Sequence, residues 1–161
     1  MKKQWFVPAA AAVLLSCPGS CAGTPSFSSV QGKQWKLVEV KNNPAAAELL
    51  PDPIRFDRSK LKTEGMDDIF VLTFSSSAQV SGKAAPETYT ASYERGTGQA
   101  VFLKQVSSDH VERDLVPERL READYFALLE GISRWDYKEG KLELYSTSPD
   151  GQEVVLTFVL D

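Results

Sequence analysis

After residue 33, apolar and polar positions alternate with period two in short runs, which predicts strands. Trp35 to Val40 reads as the first strand. Asn42-Asn43-Pro44, an alanine run, Pro51 and Pro53 predict a loop with room for one helical turn, and Ile54 to Phe56 a short edge strand. Ile69 to Phe74 is apolar on both faces and reads as a central strand. Gln79 to Gly82 follows a serine-rich turn, and Thr88 to Tyr93 places Tyr89, Ala91 and Tyr93 on one face. Gly96-Thr97-Gly98 turns the chain into a strand from Ala100 to Val106.

The period changes over Pro117 to Gly131, the one strong helix signal. Pro117 suits the first turn, Glu118 the positive dipole end, and Gly131 the stop. Leu120, Ala123, Phe126, Ala127 and Leu129 would form its apolar face. Trp135 and Tyr137 then alternate with charges, Glu139-Gly140 turns, Leu142 and Leu144 answer, and Pro149-Asp150-Gly151 turns again. Val154, Leu156, Phe158 and Leu160 form the last apolar face. Strands, one helix, then strands, with short turns and no βαβ pattern, predict an α+β domain of mainly antiparallel β: a curved sheet or partly closed barrel with one packed helix at 117–131.

The first 32 residues follow another pattern. Lys2 and Lys3 precede an apolar run, Trp5 to Leu15, that is shorter than the ~20 residues needed to span a bilayer. Charge, short apolar core and small residues read as a secretory signal, and Pro8 with Pro18-Gly19 counts against a buried helix. Leu14-Leu15-Ser16-Cys17 resembles the lipobox of bacterial lipoproteins, which implies cleavage before Cys17 and its acylation. Cys21 after Ser20 is a second candidate, and cleavage after Ala22 would make a plainly secreted protein. The expected organisation is a signal at 1–16, a flexible tether at 17–32 rich in Ser, Gly and Pro, and a domain at 33–161.

Composition narrows the classes. With 161 residues, 25% charged and 42% hydrophobic, the chain is a one-domain globular protein able to build a core without disulfides. A net charge of −4 disfavours nucleic acid, which needs a basic face. Loss of residues 1–16 removes two lysines and no acid, so the processed chain is more acidic still and is held off an anionic surface. One histidine and two cysteines exclude Cys₄ and Cys₂His₂ zinc sites.

The ordered motifs resemble the META domain of HslJ-type bacterial envelope proteins over about residues 33 to 161. The resemblance rests on Trp35-Lys36-Leu37; on the Val80-Ser81-Gly82 strand followed by Tyr89 and Tyr93; on Glu122-Ala123-Asp124-Tyr125-Phe126 running to Leu129; and on Tyr137 followed by Gly140-Lys141-Leu142-Glu143-Leu144. It implies an envelope protein linked to stress or compound tolerance, without established catalytic residues. The family turn Gly-Cys-Asn-Arg-Tyr is replaced here by Ala85-Pro86-Glu87-Thr88-Tyr89, so no role of that cysteine or asparagine carries over.

Candidate chemistry is sparse. His110 with Asp109, Glu112 and Asp114 fits no metal-ligand spacing, and without a Gly-x-Ser-x-Gly elbow it is no sign of a triad. Asp67-Asp68 reads as a solvated turn, Glu122 as helix N-terminal electrostatics or a partner of Arg119 or Arg121, and Gly96-Thr97-Gly98 precedes a strand and so cannot act as a P-loop. Tyr89, Tyr93, Tyr125, Phe126, Trp135 and Tyr137 pack a core or, in an incompletely filled barrel, line an apolar pocket. The expectation is a monomeric, non-enzymatic, cofactor-free module, anchored to the bacterial envelope by acyl chains on Cys17. Its partner would be an envelope protein met by loops 41–53 or 107–116, and the alternative is a carrier of a small apolar ligand.

Overall fold

A computed structural model of the chain describes residues 25–43, 52–108 and 116–160. Its strands are β1 (Gln34–Asn42), β2 (Ile54–Arg55), β3 (Val71–Phe74), β4 (Gln79–Lys83), β5 (Thr88–Arg95), β6 (Val101–Ser108), β7 (Ile132–Lys138), β8 (Lys141–Thr147) and β9 (Glu153–Leu160). Two helices accompany them, α1 (Arg58–Thr63) and α2 (Glu122–Glu130). All described strands join one antiparallel sheet in the order β6-β5-β4-β3-β1-β9-β8-β7, with β2 paired to the second half of β1. The α+β reading holds: a curved, mainly antiparallel sheet with one packed helix.

Register shifts at Leu37/Glu39, Thr90/Ser92 and Ile132/Arg134 bend the sheet, because an extra residue on one strand increases local twist. The curvature brings the two edge strands, β6 and β7, together at one bridge, Ala100 to Arg134, where Trp135 N–H also donates to Gln99 O at 3.0 Å. No ladder joins β6 to β7 among the described residues, so the sheet is not closed. Inward positions of every long strand fill the interior, with Trp35, Leu37, Leu72, Phe74, Val80, Leu142, Leu144, Leu156 and Phe158 all buried.

The helix differs from its expected span. Residues 117–119 form a separate 3₁₀ turn in which Glu118 and Arg119 have φ of 49° and 70°, and Leu120 and Arg121 are extended. Left-handed non-glycine residues cannot continue a right-handed helix, so α2 starts only at Glu122. Its buried residues are Tyr125, Leu128 and Leu129, whereas Ala123 is exposed. Helix α1 falls in a segment with no expected helix. Its signal is Asp57, whose carboxylate accepts from Ser59 N–H at 2.9 Å and Lys60 N–H at 3.1 Å as an N-cap. The central strand is shorter than expected, since Phe70 has φ 48° and bends away before β3.

The expected tether boundary at residue 32 is also corrected. Phe27 and Val30 are buried, and Phe27 packs on Phe74, Tyr93 and Trp135 with ring centroids 5.0 to 5.5 Å apart. Trp35 Nε1–H donates to Val30 O at 2.8 Å, and Gly32 N–H to Phe74 O at 2.8 Å. Two apolar residues among serines look like a linker in sequence but complete the core in space. The domain therefore includes residues 27–32.

Asp136 on β7 is 5% exposed and accepts from Tyr137 N–H at 2.8 Å and Gln99 Nε2–H at 3.0 Å, beside the Lys138 ammonium. Burial pushes its carboxyl up, but Lys138, Tyr137 N–H and Gln99 outweigh this and hold it below the usual range. A depressed carboxyl adds stability that is present above the unfolded value near pH 4 and is lost as pH falls through the folded value. Asp136→Asn is expected to lower stability at pH 7 by on the order of 1 kcal/mol and to flatten the acid limb below about pH 4. Urea melts from pH 2 to 7 measure this, and an unchanged acid limb would contradict it.

Candidate functional site

The aromatic residues offered for a pocket occupy the interior as two packed groups. Phe27, Phe74, Tyr93 and Trp135 cluster at the end of the sheet where β1 begins. Tyr93 donates to Ser75 O at 2.7 Å and accepts from Gln31 Nε2–H at 2.7 Å. Toward α2, Phe56, Phe70, Tyr89, Tyr125 and Phe126 form the second group. Tyr89 donates to Val71 O at 3.1 Å, and its oxygen lies 3.1 Å from that of Tyr125. Burial pushes both phenols up, Tyr89 well above the usual value, so neither ionises near neutral pH. Tyr137 meets Trp35 edge-on with centroids 5.8 Å apart. These rings pack against one another, and of the six only Tyr89 borders one of the described clefts, an open one of about 370 Å³ whose other walls come mainly from β3, β4 and β5.

The cavity lies elsewhere, at the α2 end of the sheet. It holds about 260 Å³, and its apolar wall comes from Val40, Ile54, Leu120, Ala127, Leu128 and Val154. These stand on β1, β2, the segment before α2, α2 itself and β9. Helix α2 is pinned there at both ends. Glu122 accepts from Glu87 N–H at 3.3 Å, and Ser146 Oγ–H donates to Leu128 O at 2.5 Å. Gly131 follows because a Cβ there would stand 2.2 Å from Thr147 O.

Polar groups complete the rim. The β8–β9 turn is braced by Gly151 N–H to Ser148 O and Ser148 N–H to Gln152 O, each at 2.8 Å, and contributes Ser148, Asp150 and Gln152. Asp124 is held by Arg121 through two hydrogen bonds at 2.7 and 2.8 Å. Arg119 differs. Among the described arginines, Arg55 and Arg121 pair with carboxylates, Arg58 donates to backbone carbonyls, and Arg95 and Arg134 lie over the Phe27 and Tyr145 rings. Arg119 lines the cavity with no hydrogen bond, ion pair or ring contact to a described residue. Its segment is anchored next door by Glu118, whose carboxylate is 3.0 Å from Lys60 Nζ.

Another cleft, of about 170 Å³, is lined by Lys36, Arg58, Ser59, Lys62 and Asp67. Two of its three cations are engaged in the fold. Lys36 pairs with Asp67 at 2.7 Å, and Arg58 donates to Leu37 O, Ile69 O and Phe70 O at 2.5, 2.9 and 3.3 Å. Burial lowers the Arg58 guanidinium, partly offset by Asp67. Arg58 thus ties the β1 carbonyl of Leu37 to those of Ile69 and Phe70, where the chain bends before β3.

The other sequence candidates divide. Asp67 and Asp68 are ion-pair partners of Lys36 and Lys83. Gly96-Thr97-Gly98 is the β5–β6 hairpin turn, closed by Gly96 N–H to Ala100 O at 3.0 Å. Cys17, Cys21, Asp109, His110, Glu112 and Asp114 lie outside the described residues, as does most of loops 41–53 and 107–116. Among the described residues no cluster of His, Cys, Asp or Glu has the make-up of a metal site, and no helix is long and apolar enough to cross a membrane. Sequence reasoning missed Arg119, Leu128 and Gln152. The Pro149-Asp150-Gly151 turn marked one wall, but the cavity joins it to five other segments that only the fold brings together.

No family model matches the chain, and no curated protein matches it. Two solved structures share its architecture. One is a DUF4847 family protein from Bacteroides vulgatus, with TM-score 0.52 and 14% identity over 83% of this chain and 96% of that one. The other is a Burkholderia xenovorans protein determined by NMR, with TM-score 0.54 and 19% identity over 100% of this chain and 99% of that one. The likeness is one of fold. At these identities it extends to the strand arrangement and not to any side chain of the cavity.

Proposed function

We propose that the chain is a non-enzymatic, lipid-anchored module of the bacterial cell envelope, with a META-like domain that contributes to envelope stress tolerance by engaging a protein partner. The observation that carries this reading is the polarity of the domain. Residues 25–32 pack where β1 begins, beside Phe74 and Ser75, so everything N-terminal to them attaches there. The cavity and the β8–β9 turn lie where β1 ends, since Asn42 pairs with Val154. Nine residues of strand at ~3.3 Å each separate the two ends. A domain held by acyl chains on Cys17 would present its recognition end away from the membrane.

Cys17→Ala tests the anchor. Wild-type protein is expected to partition with the membrane fraction and to carry fatty acyl mass, and the variant to be released with an unchanged circular dichroism spectrum. Membrane-bound, acylated Cys17→Ala protein would refute attachment at Cys17, and the same experiment on Cys21→Ala would then locate it.

A further inference from the structure

The end cavity has the two parts of an amphipathic anion site. One wall is aliphatic, built from Val40, Ile54, Leu120, Ala127, Leu128 and Val154. At its mouth stands one guanidinium, Arg119, that no described group satisfies. Every other described arginine is engaged, and the nearby acid Asp124 is held by Arg121, so no described carboxylate pairs with Arg119. Arginine presents a planar fork of donors that matches a carboxylate in a two-point contact. We propose that this cavity binds a small monocarboxylate with an aliphatic body, its carboxylate on Arg119 and its carbon chain against the α2–β9 wall.

Size and charge restrict the occupant. At about 30 Å³ per water-sized unit, 260 Å³ holds on the order of nine or ten heavy atoms. That matches a medium-chain aliphatic acid. Asp150 on the turn disfavours a second negative charge, so a dicarboxylate or a phosphate ester fits less well than a single carboxylate. Ser148 and Gln152 supply neutral hydrogen-bonding groups that tolerate the ligand's polar end without selecting it. The inference goes beyond the anchored-module reading and stands without it, because the cavity belongs to the folded domain whatever holds the N-terminus.

Octanoate is the probe, with 1-octanol as its uncharged counterpart. The full chain carrying Cys17→Ala keeps acyl chains out of the assay. Titration followed by amide chemical shifts is expected to show saturable binding of octanoate, with shifts at Arg119–Leu128 and Ser148–Val154 and none around Phe27. Arg119→Gln is expected to weaken octanoate about tenfold and leave octanol unchanged, because a charge-assisted hydrogen bond is lost. Ala127→Trp, which fills the cavity, should abolish both. Arg119 is an exposed residue outside the core, so its replacement keeps the melting temperature and the comparison remains valid even if Ala127→Trp fails to fold. No saturation by octanoate, shifts confined to another surface, or equal octanoate affinity in wild type and Arg119→Gln would each overturn the proposal. None of these results bears on membrane anchoring, which the fractionation of Cys17→Ala reads separately.

Discussion

Phe27→Ala is expected to destabilise the domain by about 3–5 kcal/mol, the cost of removing a buried ring from a packed core. Phe27 is 1% exposed, touches three other rings, and carries the Arg95 guanidinium 4.9 Å from its centroid. The residues around it are 0 to 4% exposed, which leaves little room for collapse into the vacated space. Phe27→Leu should cost less, because most of the volume remains. Chemical denaturation of the two variants gives the difference, and a loss under 1 kcal/mol for Phe27→Ala would mean that residues 25–32 detach without consequence.

Gly82→Ala is expected to cost about 3 kcal/mol or more, at the upper end for overpacking. An added Cβ would stand 2.0 Å from Val71 O and 2.6 Å from both Cζ and the hydroxyl oxygen of Tyr89. The first contact is with backbone of the paired strand, which moves only if the β3–β4 ladder shifts. The second is with a fully buried phenol, so displacing it breaks the Tyr89 hydrogen bonds to Val71 O and Tyr125. The double variant Gly82→Ala/Tyr89→Phe separates the terms: removing the hydroxyl relieves the contact with that oxygen but leaves the Cζ contact and the carbonyl clash. If the single substitution melts within about 1 kcal/mol of wild type, the close approach of Tyr89 to β4 is wrong.

The readable parts of the fold were those written in local pattern. Tyr89, Ala91 and Tyr93 alternate with threonine and serine, and they are the inward face of β5. Glu139-Gly140 marks a turn, and Lys138 pairs with Lys141 across it. What local pattern could not show was long-range company. Phe27 sits among serines, and its burial depends on Trp135, more than a hundred residues away. The break before α2 depends on two left-handed residues, Glu118 and Arg119, neither of a type that signals them. The six aromatic candidates were correctly seen as facing the interior, but whether they line a space or fill it is a matter of ring-to-ring distance. The cavity draws its aliphatic wall from residues whose side chains, one by one, read as ordinary core.

The position of β1 sets an order of events for the growing chain. The first strand in sequence is central in the sheet, between β3 and β9, and Trp35 pairs with Leu160. Until β9 is in place, one whole side of β1 has no partner, and the β7–β8 hairpin meets the rest of the sheet only at the Ala100–Arg134 bridge and through Trp135. Contacts so distant in sequence form slowly, since the intervening chain must close first. Until β9 joins β1 to β8, the sheet therefore stands in two halves.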